Sequence, residues 1–383
     1  VSRAFLIGLS LVAALLFRTP LALAAPEFGH IFTLLAHHGE VLVASERGLF
    51  VVAPGGAVSA RSLREGGFQA LTTDPTHPGR LIASTETAPV LQSDDGGRQW
   101  TTVSSDAKGP FAMLAAGAKG DGQLYGVSDA LYASKDGGRH WQRVGNLPEK
   151  LIHLSASAVR AQRLYAGTMT GLELSDDGGA HWTRAGMSVL PTPLIQSMAD
   201  GSLYGFEWGR GLMRADEQSL AWTALNNRFG GQALLRIART PAAMVALSNA
   251  GKLFTSEDDG RTWMPLGGYP VPKGDAAKRG EALFAKNCQA CHGDHGIGES
   301  PQAGVNQSLA PALDETMHAW HHTDDQIKTT ILEGLPAPSR MQGWSGRLSE
   351  ADADDLIAYM KSQWDERALN CQGPRHMAPE CRR

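Results

Sequence analysis

Apolar residues follow two patterns along this chain of 383 residues. From Phe28 to Leu266 they form short runs between turns rich in Gly, Asp and Ser, the punctuation of β-strands. Beyond Asp275 they recur three and four positions apart, the spacing of helices packed through one face. Between the two lies Gly267-Gly268-Tyr269-Pro270-Val271-Pro272-Lys273-Gly274, a Gly/Pro-rich linker over 267–274. The pattern predicts a multidomain chain: an all-β region over 26–266, then an all-α region over 275–383 with a polar C-terminal tail.

The β region is repetitive. Ser93-Asp94-Asp95-Gly96-Gly97-Arg98-Gln99-Trp100 returns with starts at Ser134 and Ser175, a period of 41, and again from Ser256 to Trp263. A decayed copy ending in Trp222 fills the gap. Each copy follows a strand-like run such as Leu81-Ile82-Ala83-Ser84, Leu124-Tyr125-Gly126-Val127 or Leu164-Tyr165-Ala166-Gly167. Several short strands per repeat predict a β-propeller with one sheet per repeat. The repeats count to six blades, with a seventh left open if atypical end segments assemble one.

The repeated octapeptide has a physical logic: Ser and Asp cap turn N–H groups, Gly takes positive φ, and Trp folds back over the hairpin. It resembles the Asp-box (BNR) repeats of sialidase-like propellers. That resemblance implies the fold, whereas a glycosidase would also need an arginine cluster and a tyrosine nucleophile. Arg210, Arg236 and Tyr204 are available, yet Tyr204 repeats at Tyr125 and Tyr165 and so reads as blade strand. A glycosidase is the disfavoured reading. His30, His37 and His38 form a polar cluster at the propeller start and read as strand and turn residues.

At the N-terminus, Arg3 precedes an apolar stretch from Phe5 to Phe17, and Ala22-Leu23-Ala24 offers a small-residue cleavage site. Residues 1–25 thus read as a secretory signal peptide, implying export to the periplasm and no stable membrane span after cleavage. Arg18 and Pro20 interrupt the apolar run before it could cross a bilayer.

Cys288-Gln289-Ala290-Cys291-His292 carries the sharpest chemical signal. Two thiols at this spacing reach two vinyl groups on one porphyrin edge, and the next residue offers an imidazole to the iron. Zinc is the competing reading, but it would need a second ligand pair, for which only Cys371 and Cys381 remain. A redox dithiol would need a βαβ context that is absent here.

The residues around the motif resemble the mono-haem class I cytochromes c over about Gly274 to Trp364. Leu309-Ala310-Pro311-Ala312-Leu313 is similar to the segment passing the haem edge, and Ser339-Arg340-Met341 to the loop bearing the distal methionine. The resemblance implies one haem c on Cys288 and Cys291, with His292 and Met341 as axial iron ligands. Gln342 stands where the family commonly has Pro. Gly280, Phe284 and Tyr359 fit the positions where first and last helices cross, while Met317 and Met360 read as core. His318, His321 and His322 are the alternative ligand set; the stretch reads as a polar helix entry, with one His or Trp320 near the haem propionates. Cys371 and Cys381 are expected to form a disulfide pinning the tail.

Formal net charge is −4, which argues against a nucleic-acid binder with a basic surface. From Lys273 onward 12 Lys/Arg face 16 Asp/Glu, so the haem region is modestly acidic and suits a basic periplasmic redox protein as partner. The chain reads as an electron carrier in preference to a catalyst, its propeller a docking or ligand-binding scaffold. The alternative makes the propeller a substrate-binding or catalytic head, taking a small molecule on its face, with the cytochrome as built-in electron acceptor.

Overall fold

The computed structural model describes residues 28–103, 105–107, 109–186, 189–300 and 309–381, so the expected leader over 1–25 lies outside the described residues. Among the described residues, every strand belongs to one of six four-stranded antiparallel sheets, each built from four strands consecutive in sequence. The first strands of the sheets are Ile31–His37, Ala70–Thr73, Met113–Ala116, Leu151–Ala156, Leu194–Ser197 and Leu234–Arg239. Each packs beside the next around a common axis, and the first closes against the last. The ring is a six-bladed propeller; the seventh blade that the repeats left open is not formed.

Blades cohere through apolar layers sandwiched between them. Leu42, Leu49, Leu71, Leu81 and Leu91 join the first two blades, and Val43, Val52, Val245 and Leu247 seal the sixth against the first. Each buried side chain of this size contributes about 1.5–3 kcal/mol. The innermost strands have an edge without a strand partner, and side chains of the preceding blade satisfy part of it. Arg236 Nε donates to Phe32 O at 3.0 Å, Ser155 Oγ accepts from Ser197 N at 3.1 Å, and His153 Nδ1 accepts from Ile195 N at 3.3 Å. Tyr204, weighed above as a nucleophile, is fully buried in its blade.

The repeated turns carry a second role that their composition hides. In all four, the Ser hydroxyl accepts from the N–H of the Gly four residues on, at 2.9, 3.0, 2.8 and 2.9 Å, and donates to the Asp carboxylate. That same Gly faces a side chain of the preceding blade: Gly97 meets Leu49, Gly138 meets Val90, Gly179 meets Leu131 and Gly260 meets Leu212. At Gly138, φ is +87° and a Cβ would sit 2.9 Å from Val90 Cγ1. Valine is stiff and fully buried here, so it cannot yield. Gly138→Ala should therefore cost roughly 2–4 kcal/mol, from strained backbone and overpacking together. Denaturant unfolding followed by tryptophan fluorescence measures it; an unchanged midpoint would contradict this packing role. In the decayed fifth copy Asp216 accepts from Gln218 N at 2.9 Å and Ser219 Oγ from Ala221 N at 3.3 Å.

The α region contains α1 (Asp275–Asn287), α2 (Gln289–His292), α3 (Asp324–Glu333), α4 (Glu350–Ser362) and α5 (Glu366–Asn370). Gly274 occupies the N-cap of α1, and Asp275 lies in the first turn, where its charge suits the helix dipole. Thr323 and Ser349 each close a capping box, with Gln326 and Asp352. The helical domain sits against the propeller end where the inner strands begin, at the 227–233 connection and the 249–252 turn of the sixth blade.

Candidate haem site

Alpha1 is amphipathic, with Ala277, Gly280 and Phe284 buried on one face. That face crosses α4 so closely that Gly280 lies against the Asp355 carbonyl, while Phe284 and Tyr359 rings stand 5.2 Å apart. Arg279 grips the Asp355 carboxylate with two hydrogen bonds of 2.6 and 2.7 Å. The crossing aims the C-terminal end of α1, and with it the CxxCH turn. Cys291 N and His292 N both donate to Cys288 O, at 3.1 and 2.9 Å, so Cys288 and Cys291 share one face of a single helical turn. Both cysteines are free; burial, with help from Cys291, pushes the Cys288 thiol up to about 11.

His292 is half-buried, and desolvation holds its imidazole below the usual histidine range, favouring the neutral ring. Its Nδ1 lies 2.9 Å from Pro311 O. A carbonyl can only accept, so Nδ1 carries the proton and Nε2 keeps its lone pair for a metal. The main chain fixes the ring from behind: Gly298 N donates to His292 O at 2.6 Å, and Leu313 N to Gly296 O at 2.7 Å. Two reduced thiols on one turn and an imidazole with its tautomer set are the donor set that a covalent haem requires.

Met341 lies, half-buried, in the loop after α3, where Leu335 N donates to Met341 O at 2.9 Å. Its neighbour Arg340 ties the loop to the CxxCH side through two bonds to Glu299, of 3.0 and 2.8 Å, and by reaching the Cys291 sulfur. Glu299 in turn accepts from Ala310 N at 2.9 Å. Nothing local in the sequence flags this Arg340–Glu299 pair.

His321 stacks on His376 with ring centroids 4.3 Å apart, and Trp320 is buried beneath the Arg367 guanidinium. Cys371 and Cys381 are disulfide-bonded and belong to the same buried cluster, so the tail covers the Trp320 segment. The bond also removes both cysteines as zinc ligands. Among the described residues, no group of three His, Cys, Asp or Glu is placed to hold a metal ion.

Residues 275–360 match the family model described as cytochrome C oxidase, cbb3-type, subunit III. These residues form a cytochrome c domain. It is similar to the cbb3-type cytochrome c oxidase subunit FixP of Bradyrhizobium diazoefficiens, 34% identical over 98 residues, which are 25% of this chain and 31% of the relative. It is also similar to the dihydro-heme d1 dehydrogenase of Pseudomonas aeruginosa, 38% identical over 84 residues, 21% of this chain and 14% of the enzyme. The chain thus spans a third or less of the length of these relatives. Among solved structures, YCF48 from Cyanidioschyzon merolae aligns with a TM-score of 0.43 and 18% identity, over 63% of this chain and 86% of the other. The cytochrome c domain binds haem c covalently and is an electron-transfer module. Among the described residues no helix is long and apolar enough to cross a membrane.

Proposed function

We propose that this chain is an exported, periplasmic electron carrier with a single haem c held by Cys288 and Cys291, ligated by His292 and Met341. The observation that carries the ligand assignment is the His292 Nδ1–Pro311 O bond, which leaves Nε2 free for iron. Bound haem supplies a one-electron couple, and a thioether on the far side favours the reduced state and electron transfer over oxygen chemistry. The propeller serves as a rigid scaffold that docks the redox partner, and its repeated turns support an Asp-box-type blade.

A second reading keeps a ligand on the propeller, and one observation favours it. A cleft of about 840 Å³ between the first two blades is lined by His37, His38, Arg61, His77 and Arg80, among others. His37 Nε2 is buried there without a hydrogen-bond partner. The cleft lies where the inner strands end, away from the haem domain, so it suits a docking ligand better than a substrate feeding electrons to the haem.

Met341→Ala should abolish the methionine-to-iron charge-transfer band of the ferric protein; an unchanged spectrum sinks the ligand assignment. Electron exchange with a small basic cytochrome should slow as salt rises from about 10 mM to 150 mM, which shortens the Debye length from about 30 to 8 Å. Haem reduction by a small molecule with no second protein present would favour the catalytic-head reading instead.

A further inference from the structure

We propose that the propeller is part of the haem centre itself: it clamps the segment that carries the hydrogen-bond acceptor of His292, and through that bond it sets the haem potential. The inference rests on His292 being the iron ligand, as proposed above.

The contacts between the domains fall on the loops that hold His292. Lys252, on the 249–252 turn of the sixth blade, reaches Asp314 at 2.8 Å and Glu315 at 3.0 Å. Asp314 is buried and stands three residues after Pro311, the acceptor for His292 Nδ1. From the neighbouring 227–233 connection of the same blade, Phe229 N donates to Ser300 Oγ at 2.9 Å. Gly230, at φ +55°, leaves room only for the Ile297 backbone: a Cβ there would overlap the Ile297 carbonyl. Ile297 precedes Gly298, whose N–H holds the His292 carbonyl. Tyr269 in the linker stacks on His295 at 3.8 Å and 15°. The propeller and linker thus grip 295–300, which includes the Gly298 that holds the His292 carbonyl, and 314–315, which begins three residues beyond the Pro311 acceptor.

Within the haem domain these loops are braced by Gly298 N to His292 O, Glu299 N to Ala310 O and Leu313 N to Gly296 O, and Trp364 Nε1 donates to Leu313 O at 2.8 Å. The blade turns add anchors from outside the domain, at Ile297, Ser300 and Asp314. An imidazole that donates Nδ1–H to a well-placed acceptor becomes more basic at Nε2 and stabilises the oxidised metal. Loosening the acceptor lowers that basicity and raises the potential. The rival explanation is that these contacts only join two domains; they would then leave the haem spectroscopically unchanged when broken.

The test uses the full-length holoprotein, with haem content measured first by pyridine haemochrome. Gly230→Ala displaces the Ile297 loop with no change of charge; its midpoint potential should rise, and the hyperfine-shifted His292 ring resonances of the ferric protein should move. Lys252→Met should move those resonances in the same direction, and Lys252→Arg should restore them. The Lys252 pair keeps the question open should Gly230→Ala not fold. Wild-type potential and resonances in folded Gly230→Ala and Lys252→Met would overturn the proposal. A lower potential in Lys252→Met with unmoved resonances would also overturn it, because that is the effect of lost charge alone. Absence of covalent haem in the wild type would instead refute the underlying site assignment.

Discussion

A chain carrying serine at both Cys288 and Cys291 should lose its covalent haem entirely while keeping a folded propeller. Cys288 and Cys291 are free and share one face of the α2 turn, whereas the other two cysteines are bonded to each other 5.8 Å apart at Cα. No other thiol is left to form a thioether, since the chain has four cysteines. Serine keeps the size and the helical turn, so the variant isolates the covalent chemistry. Acid–acetone extraction separates the outcomes: haem stays with the wild-type chain and leaves with the solvent from the variant. The propeller should be indifferent, because its apolar layers involve strands of neighbouring blades and none of the haem-domain core. Haem that resists extraction from the double variant would sink the assignment of these two residues.

What could be read from the chain alone follows from the range of each interaction. The CxxCH turn, the capping boxes at Thr323 and Ser349 and the repeated Ser-x-Asp turns involve residues at most a few positions apart, so each leaves a local signature. The 41-residue period likewise reports one blade after another. Counted along the chain the repeats give six blades, the number found, but closure of Ile31–His37 against Leu234–Arg239 has no such signature, because it depends on sheet twist and on a layer assembled from both chain ends of the β region. The glycine four residues after each serine looked like a hairpin device, and its contact with the preceding blade came only with the packed structure. The same holds for Arg340 with Glu299, His321 with His376, and Lys252 with Asp314, which lie 41, 55 and 62 residues apart. Such pairs have no period and no composition bias. The polar tail was legible only as two cysteines, yet it covers Trp320 and stacks His376 on His321, one of the histidines that competed for the iron.

Gly280→Ala should destabilise the haem domain, although helix propensity alone predicts the opposite. In an isolated helix the exchange is worth about 1 kcal/mol in alanine's favour. Here a Cβ would overlap the Asp355 carbonyl and sit 2.8 Å from Tyr359 Cβ, both on α4. A backbone carbonyl cannot rotate away, so α1 must lift from α4, and overpacking of this kind costs about 1–3 kcal/mol or more. Lifting also strains the Arg279–Asp355 fork and the Phe284–Tyr359 contact, which sit on either side of the glycine. The steric cost exceeds the propensity gain. Because α1 runs directly into Cys288, its displacement is transmitted to the thiols, and covalent haem yield should fall together with the melting temperature of the helical signal. Gly280→Val should lower both further, as a branched side chain adds bulk at the same point. Far-UV circular dichroism with haem staining measures the pair of effects. A Gly280→Ala protein that melts higher and keeps its haem would mean that propensity wins and that the α1–α4 crossing is looser than this contact requires.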